Sequence, residues 1–228
     1  MTIKSEIQAI GLACLALAVT ACAGAPAPSA TETNRSDAHT NPEPAPEQTR
    51  QRAQFPGMLS LCPRMTVSNA PASSANRNLA HYQPFVSIAG SRLAVAPVER
   101  GCLSSGFGLR GEKLHKGIDL YNRDTVKIYA AANGRVKEKH YRDDYGNMLV
   151  IEHGDGVFAR YAHLDSFASD INVGDQVTLG QTIGIMGNTA SYSIPRHLHY
   201  EVMTGEWGAL SGAFGLTPVD IFAYLPDN

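Results

Sequence analysis

The chain has 228 residues, a formal charge of −2 and a hydrophobic fraction of 43%. That length holds one domain of ordinary size with extensions, or two small ones, and the composition is that of a globular protein. The near-neutral balance gives no footing for a nucleic-acid surface or for broad electrostatic steering, so no nucleic-acid partner is expected.

The first segment, MTIKSEIQAIGLACLALAVTAC, has Lys4 near its start and then an almost unbroken apolar run from Ala9 to Ala21. The run is shorter than the ~20 residues of a membrane span and ends in small residues, the pattern of a secretory signal. Its end, VTAC from Val19 to Cys22, resembles the bacterial lipobox. The resemblance implies that residues 1–21 are a signal peptide, that cleavage falls before Cys22, and that a lipid on Cys22 anchors the protein to a membrane. Ala23, not an aspartate, follows the cysteine. In lipoproteins of enteric type this implies export to the outer membrane, facing the periplasm.

Cysteine usage agrees with an oxidising compartment. Cys14 leaves with the signal and Cys22 carries the lipid, so Cys62 and Cys102 remain as an even pair. A Cys62–Cys102 disulfide is expected, and closing such a loop would stabilise the fold by roughly 4 kcal/mol.

Residues 22–57 are rich in Ala, Pro, Thr, Glu and Gln and hold almost no large apolar side chain before Phe55. Such a segment cannot bury enough surface to offset its ordering entropy, so a disordered tether is expected, spanning roughly 30–35 Å. Residues 58–100 regain apolar character in MLSLCPRMTV and YQPFVSIAGSRLAVAPV. They read as short strands or irregular structure, an extension packed on the C-terminal domain and pinned to it by the disulfide.

From residue 101 to 228 the pattern is all-β. Short runs rich in β-branched and aromatic residues (VKIYAA, GRVKEKHY, NMLVIEH, VFARYAHL, QVTLGQTIGIMG, HLHYEVM) are separated by Gly, Asp and Asn. HGDG, from His153 to Gly156, is a hairpin signal between two of them. No long amphipathic helix pattern interrupts the series. The expected architecture is a compact antiparallel β-sheet with a groove.

Two histidine clusters stand out. In LHKGIDL, His115 and Asp119 are four apart, but Gly117 and the β-branched surroundings argue against a helix. A loop running into a strand can still turn both inward. In HLHYEVM, alternation puts His197, His199, Glu201 and Met203 on one strand face and Leu198, Tyr200 and Val202 on the other, which reads as the core side. The polar face looks either into a site or into water. Histidine and carboxylate together are good Zn²⁺ ligands, and three protein ligands with one open position are the pattern of a catalytic site.

SSGFGLRGEKLHKGIDL, YGNMLVIEHGDGVFARYAHL, GDQVTLGQTIGIMGNT, HLHYEV and TPVDIFAYL occur in that order between residues 101 and 225. Together they resemble the lysostaphin/LytM-type zinc metallopeptidases. The resemblance implies an antiparallel β fold with a narrow groove over the metal and cleavage of peptide cross-links or stem peptides of peptidoglycan through a zinc-activated water. It makes His115, Asp119 and His199 the zinc ligands and His163 and His197 the catalytic histidines. The helical H-E-x-x-H motif is absent, and a histidine with a pKa near ~6.5 can supply the acid–base chemistry that its glutamate supplies elsewhere. Glu201 is then either an acceptor for a ligand N–H or a solvated edge residue. His39, His81, His140 and His153 need no special role.

The approach to the second cluster departs from the family. TASYSIPRHLH carries Pro195-Arg196 before His197, and Tyr192 and Ile194 where smaller residues are usual. That loop borders the groove, so the departure bears on substrate choice. The chemistry expected is that of a lipid-anchored envelope endopeptidase acting on peptidoglycan, with the D-Ala–diaminopimelate cross-link as the expected bond and room for a regulatory envelope partner. The rival class is a protein of this fold that has lost zinc ligands and serves as a binding module activating cell-wall amidases. The complete ligand set favours the enzyme.

Overall fold

The computed structural model describes residues 55–154, 156–208 and 214–226. The signal peptide expected over 1–21, the lipidation site Cys22 and nearly all of the tether lie outside the described residues. The described residues all fall within one compact unit.

The described residues are all-β. A hairpin of β1 (Phe85–Ile88) and β2 (Ser91–Ala94) precedes β3 (Cys102–Ser105) and the short pair β4 (Gly108–Arg110) and β5 (Lys113–His115). Then come β6 (Ile118–Tyr121), β7 (Lys127–Tyr129), β8 (Gly134–Arg142), β9 (Gly146–Glu152), β10 (Val157–Phe167), β11 (Gln176–Val177), β12 (Thr182–Met186), β13 (His197–Thr204) and β14 (Thr217–Val219). The one described helix is a single 3-10 turn, Ile221–Tyr224, capped by the Asp220 carboxylate on the Phe222 N–H at 3.0 Å.

The main sheet runs β11-β8-β9-β10-β13-β6-β3, every neighbour antiparallel. β12 joins β10 to β7, and β14 flanks β13. The antiparallel all-β class expected from the runs of alternating residues is the one observed. The β9–β10 connection is the hairpin that HGDG predicts, with Gly154 and Gly156 at positive φ.

Alternation along β13 sorts its side chains. Leu198, Tyr200 and Val202 enter the main hydrophobic core with Ile118, Leu120, Leu149, Ile151 and Tyr161. The opposite face carries the histidines and Glu201, and there Met203 joins a second, smaller core with Met148, Val150, Phe158, Ala162 and Leu216. The centre of the sheet is therefore covered on both faces, which is why NMLVIE reads as a nearly continuous apolar run. Each large apolar side chain so buried contributes about 1.5–3 kcal/mol. Tyr161 and Tyr200 keep their hydroxyls bonded inside this core: Tyr161 accepts from the Ala131 N–H at 2.8 Å and Tyr200 donates to the Ala94 carbonyl at 3.2 Å.

Residues 58–100 share the main core through Leu59, Leu61, Leu79, Val86, Ile88 and Leu93. Phe55, at the end of the expected tether, packs edge-on against Phe85 and Tyr129. Cys62 and Cys102 form a disulfide with their Cα atoms 4.9 Å apart. Next to it, Leu61 and Ser68 pair in parallel with Leu103 and Ser105, so the segment covers the outer edge of β3.

Candidate metal centre

β5 and β6 deliver the first two site residues. His115 ends β5 and Asp119 is the second residue of β6, with Lys116 and Gly117 between. Glycine is required at 117 by space: a Cβ there would lie 2.3 Å from the Tyr200 carbonyl oxygen. Its absence lets the β5–β6 corner press against β13, where His199 stands directly opposite Asp119 in the antiparallel register.

Three ligand atoms converge. His115 Nε2 lies 3.0 Å from Asp119 Oδ1 and 3.0 Å from His199 Nδ1, and His199 Nδ1 lies 2.8 Å from Asp119 Oδ1. The outer ring nitrogens are committed elsewhere. His115 Nδ1–H donates to the Gly106 carbonyl at 2.6 Å, and His199 Nε2–H donates to Glu201 Oε1 at 3.1 Å. Those bonds turn the lone pairs of His115 Nε2 and His199 Nδ1 toward the carboxylate oxygen.

Three acceptors that close repel one another unless positive charge lies between them. Burial alone would push the Asp119 carboxyl up, yet the adjoining His115 and His199 imidazoles hold it well below the usual range. His199 is fully enclosed, which opposes its charging, yet Asp119 and Glu201 hold it up at about 9. Both shifts express one demand for a cation. Two imidazoles and a carboxylate around Zn²⁺ at ~2.0–2.2 Å would stand about 3.3 Å apart in a tetrahedron, so a small expansion of the observed triangle seats the ion. His115, Asp119 and His199 thus fit zinc as a three-residue set beside an open groove.

A buried charge network stands behind them. Glu201 is 1% exposed; its Oε1 also accepts from the Tyr145 hydroxyl at 2.6 Å, and its Oε2 accepts from Arg160 Nη1 at 2.5 Å. Burial would raise the Glu201 pKa, but His199, Arg160 and Tyr145 bring it down to about 2. Arg160 faces Glu201 across the β10–β13 ladder and has no exposed surface. The solvated-edge reading of Glu201 is therefore excluded: it holds a ring N–H of His199. Arg110 Nη2 donates to Asp119 Oδ2 at 2.7 Å and also contacts the Ser105 hydroxyl, which occupies the second carboxylate oxygen.

His163 and His197 complete the groove. The β9–β10 register shifts between Tyr161 and Leu164, and His163 inside that bulge has φ +61°. Such a conformation costs a non-glycine residue ~1–3 kcal/mol and re-aims its side chain. Its N–H donates to the Tyr145 carbonyl at 2.8 Å and its Nδ1–H to the Thr189 carbonyl at 2.8 Å. His197 Nδ1–H donates to the Pro195 carbonyl at 2.7 Å, and its Nε2 lies 3.8 Å from Asp119 Oδ1. The His163 and His197 rings are 4.8 Å apart. Burial pushes His163 down to about 4, helped by the neighbouring His197, and burial also lowers His197. Both are neutral near neutral pH.

The groove over these residues has a volume of about 570 Å³. Tyr192, Ile194 and Pro195 form one wall, the residues by which the sequence departs from the family pattern. Sequence reasoning brought all five of His115, Asp119, His163, His197 and His199 to one place. It missed Arg160, Tyr145 and Arg110. An arginine inside the apolar run VFARYAHL was the available signal, since a buried charge requires a partner. The remaining described histidines lie elsewhere: His153 is buried with Nδ1–H on the Asn133 carbonyl at 2.9 Å, His140 pairs with Glu138 at 3.2 Å, and His81 is exposed.

Residues 113–209 match peptidase family M23. Over 113 residues the chain is 34% identical to the DD-carboxypeptidase/endopeptidase Mpg of Neisseria meningitidis serogroup B, covering 47% of this chain and 25% of the relative. It is 35% identical over 91 residues to the peptidoglycan DD-endopeptidase ShyC of Vibrio cholerae, covering 40% and 20%. It is 32% identical over 113 residues to the uncharacterised lipoprotein YgeR of Escherichia coli K12, covering 49% and 39%. The chain thus spans well under half the length of each of these relatives. The zinc-containing peptidase of Vibrio cholerae is a structural neighbour at 25% identity and a TM-score of 0.48, covering 59% of this chain and 44% of that one. The likeness to peptidase family M23 is thus carried by the segment 113–209, which holds His115, Asp119, His163, His197 and His199.

Proposed function

We propose that the chain is a zinc metalloendopeptidase that cleaves peptide cross-links of peptidoglycan, with the D-Ala–diaminopimelate bond as its substrate. The observation that carries this is the convergence of His115 Nε2, Asp119 Oδ1 and His199 Nδ1 within 3.0 Å of one another, flanked by two further histidines in a groove. Matched relatives named as DD-endopeptidases support the bond, and a relative named as a lipoprotein supports the anchor. In this reading residues 1–21 are a signal peptide, Cys22 carries a lipid in the outer membrane, 22–57 are a tether, 58–100 an extension, and 101–228 the peptidase domain facing the periplasm.

His115, Asp119 and His199 would hold the zinc, which when bound supplies Lewis acidity to the scissile carbonyl and to a water molecule. The remaining work falls to the chain. The Thr189 and Pro195 carbonyls hold His163 and His197 with Nδ1 protonated, so each presents Nε2 to the groove. A neutral Nε2 takes a proton from the attacking water, and the imidazolium so formed donates to the developing oxyanion or the leaving amine. Glu201 and Gly106 keep the ligand imidazoles oriented.

The test uses the chain without residues 1–22, purified without chelator, on diaminopimelate-type sacculi, with His115→Ala as control. About one zinc per chain and release of uncrosslinked muropeptides, both lost in the variant, support the enzyme. Sacculus binding without zinc or cleavage refutes it in favour of an amidase-activating binding module.

A further inference from the structure

We infer that residues 59–69, outside the family-matched segment, are a working part of the site: they position His115 through Gly106, wall the groove with Met65, and are fastened by the Cys62–Cys102 disulfide. This rests on the zinc reading of His115, Asp119 and His199.

The geometry runs from the sheet edge to the ligand. The Cys62 N–H donates to the Leu103 carbonyl at 2.9 Å and the Leu103 N–H to the Ser60 carbonyl at 2.8 Å. Further along, the Gly106 N–H donates to the Ser68 carbonyl at 2.8 Å. Gly106 is thereby held from both sides, since its own carbonyl accepts the His115 Nδ1–H at 2.6 Å. The fit is close: a Cβ at Gly106 would lie 1.9 Å from the Asn69 carbonyl oxygen. Asn69 Nδ2 also donates to the Leu109 carbonyl at 3.2 Å, beside Arg110, which bonds Asp119. Segment 59–69 thus stands behind two of the three ligands.

The start of the segment is also held by the Leu61 N–H on the Arg77 carbonyl at 2.8 Å and the Leu79 N–H on the Leu59 carbonyl at 2.9 Å, and its middle is looser. Leu59, Leu61 and Cys62 are buried, but residues 63–66 are exposed. Arg77 braces the turn by donating to the carbonyls of Cys62 at 2.8 Å and Met65 at 2.9 Å, and Met65 lines the groove. The disulfide is the single covalent tie between this segment and β3, four residues before Gly106. Losing the bridge releases the Gly106 carbonyl from its fixed position and loosens His115. Removing such an outer partner of a metal-bound histidine typically lowers metal affinity ~10–100-fold.

The test is zinc affinity, read by competition with a chromogenic chelator at a temperature where circular dichroism shows each protein folded. The chain without residues 1–22 is compared with Cys62→Ser/Cys102→Ser and, with the bridge intact, Gly106→Ala, whose new methyl displaces Asn69. Both variants are expected to bind zinc ~10–100-fold more weakly. A purely structural role would lower the melting temperature and leave the affinity of the folded protein unchanged, and that result for both variants overturns the inference. If the cysteine variant does not fold, Gly106→Ala decides alone. Absence of zinc from the unaltered chain overturns the metal reading and this inference together; zinc in the unaltered chain with no change in the variants overturns this inference only.

Discussion

His163 and His197 stand side by side in the groove with ring centroids 4.8 Å apart, each with Nδ1 tied to a backbone carbonyl. Neither contributes to the triangle of ligand atoms. Replacing either with alanine is therefore expected to lower kcat ~10²–10⁴-fold while zinc content stays near that of the unaltered protein. Metal analysis alongside turnover checks it. Loss of zinc from His197→Ala would show that the two histidines of HLH do not divide their roles.

Glu201→Gln keeps the shape of the side chain and removes its charge. The Arg160 guanidinium then faces a neutral amide inside a region closed to water. Breaking a buried pair from one side costs ~3–5 kcal/mol. The variant is expected to melt at a lower temperature and also to bind zinc ~10–100-fold more weakly, because His199 loses its charged acceptor. Chelator competition and a urea titration separate the two effects.

His153 sets a pH dependence of stability away from the groove. Burial holds its pKa at about 4 in the fold, against the bond to Asn133 that favours the charged form. In the unfolded chain it returns to ~6.5. Between those values the unfolded chain binds a proton that the fold does not, so stability falls as pH falls. The loss from this residue is roughly 2 kcal/mol between pH 7 and pH 5, complete near the folded value. Urea midpoints at both pH values are expected to diverge less for His153→Gln than for the unaltered chain; equal divergence would remove His153 as the cause.

Gly117→Ala tests the packing that brings the ligands together. The added methyl meets the Tyr200 carbonyl oxygen at 2.3 Å, backbone that cannot swing aside. Overpacking of this kind costs ~1–3 kcal/mol. It also pushes β6 from β13, so Asp119 and His199 separate. Lower zinc occupancy with an intact far-ultraviolet spectrum is expected.

How much of this was legible in the sequence depends on the kind of contact. The period-2 pattern of HLHYEVM announced its own faces, and Leu198, Tyr200 and Val202 entered the core it predicted. Side-chain chemistry and spacing marked His115, Asp119, His197 and His199, and the family resemblance added His163. What stayed hidden is carried by backbone. The acceptors that set the ring tautomers are the carbonyls of Gly106, Thr189 and Pro195, and a carbonyl has no residue type to read. The left-handed His163 was equally hidden, because its conformation comes from a register shift between strands and not from a local preference. The pairing of Arg160 with Glu201 needed the register of β10 on β13, which no single strand encodes.

The covering of β3 has a consequence beyond the site. An uncovered outer strand presents a row of unpaired amides and carbonyls onto which another chain can add. Here one end of the main path is closed by residues 60–68 and a disulfide, and the other ends in β11, only two residues long. At the β3 end little open ladder is left to another chain's strand, so the segment that backs His115 also guards that sheet edge against strand addition.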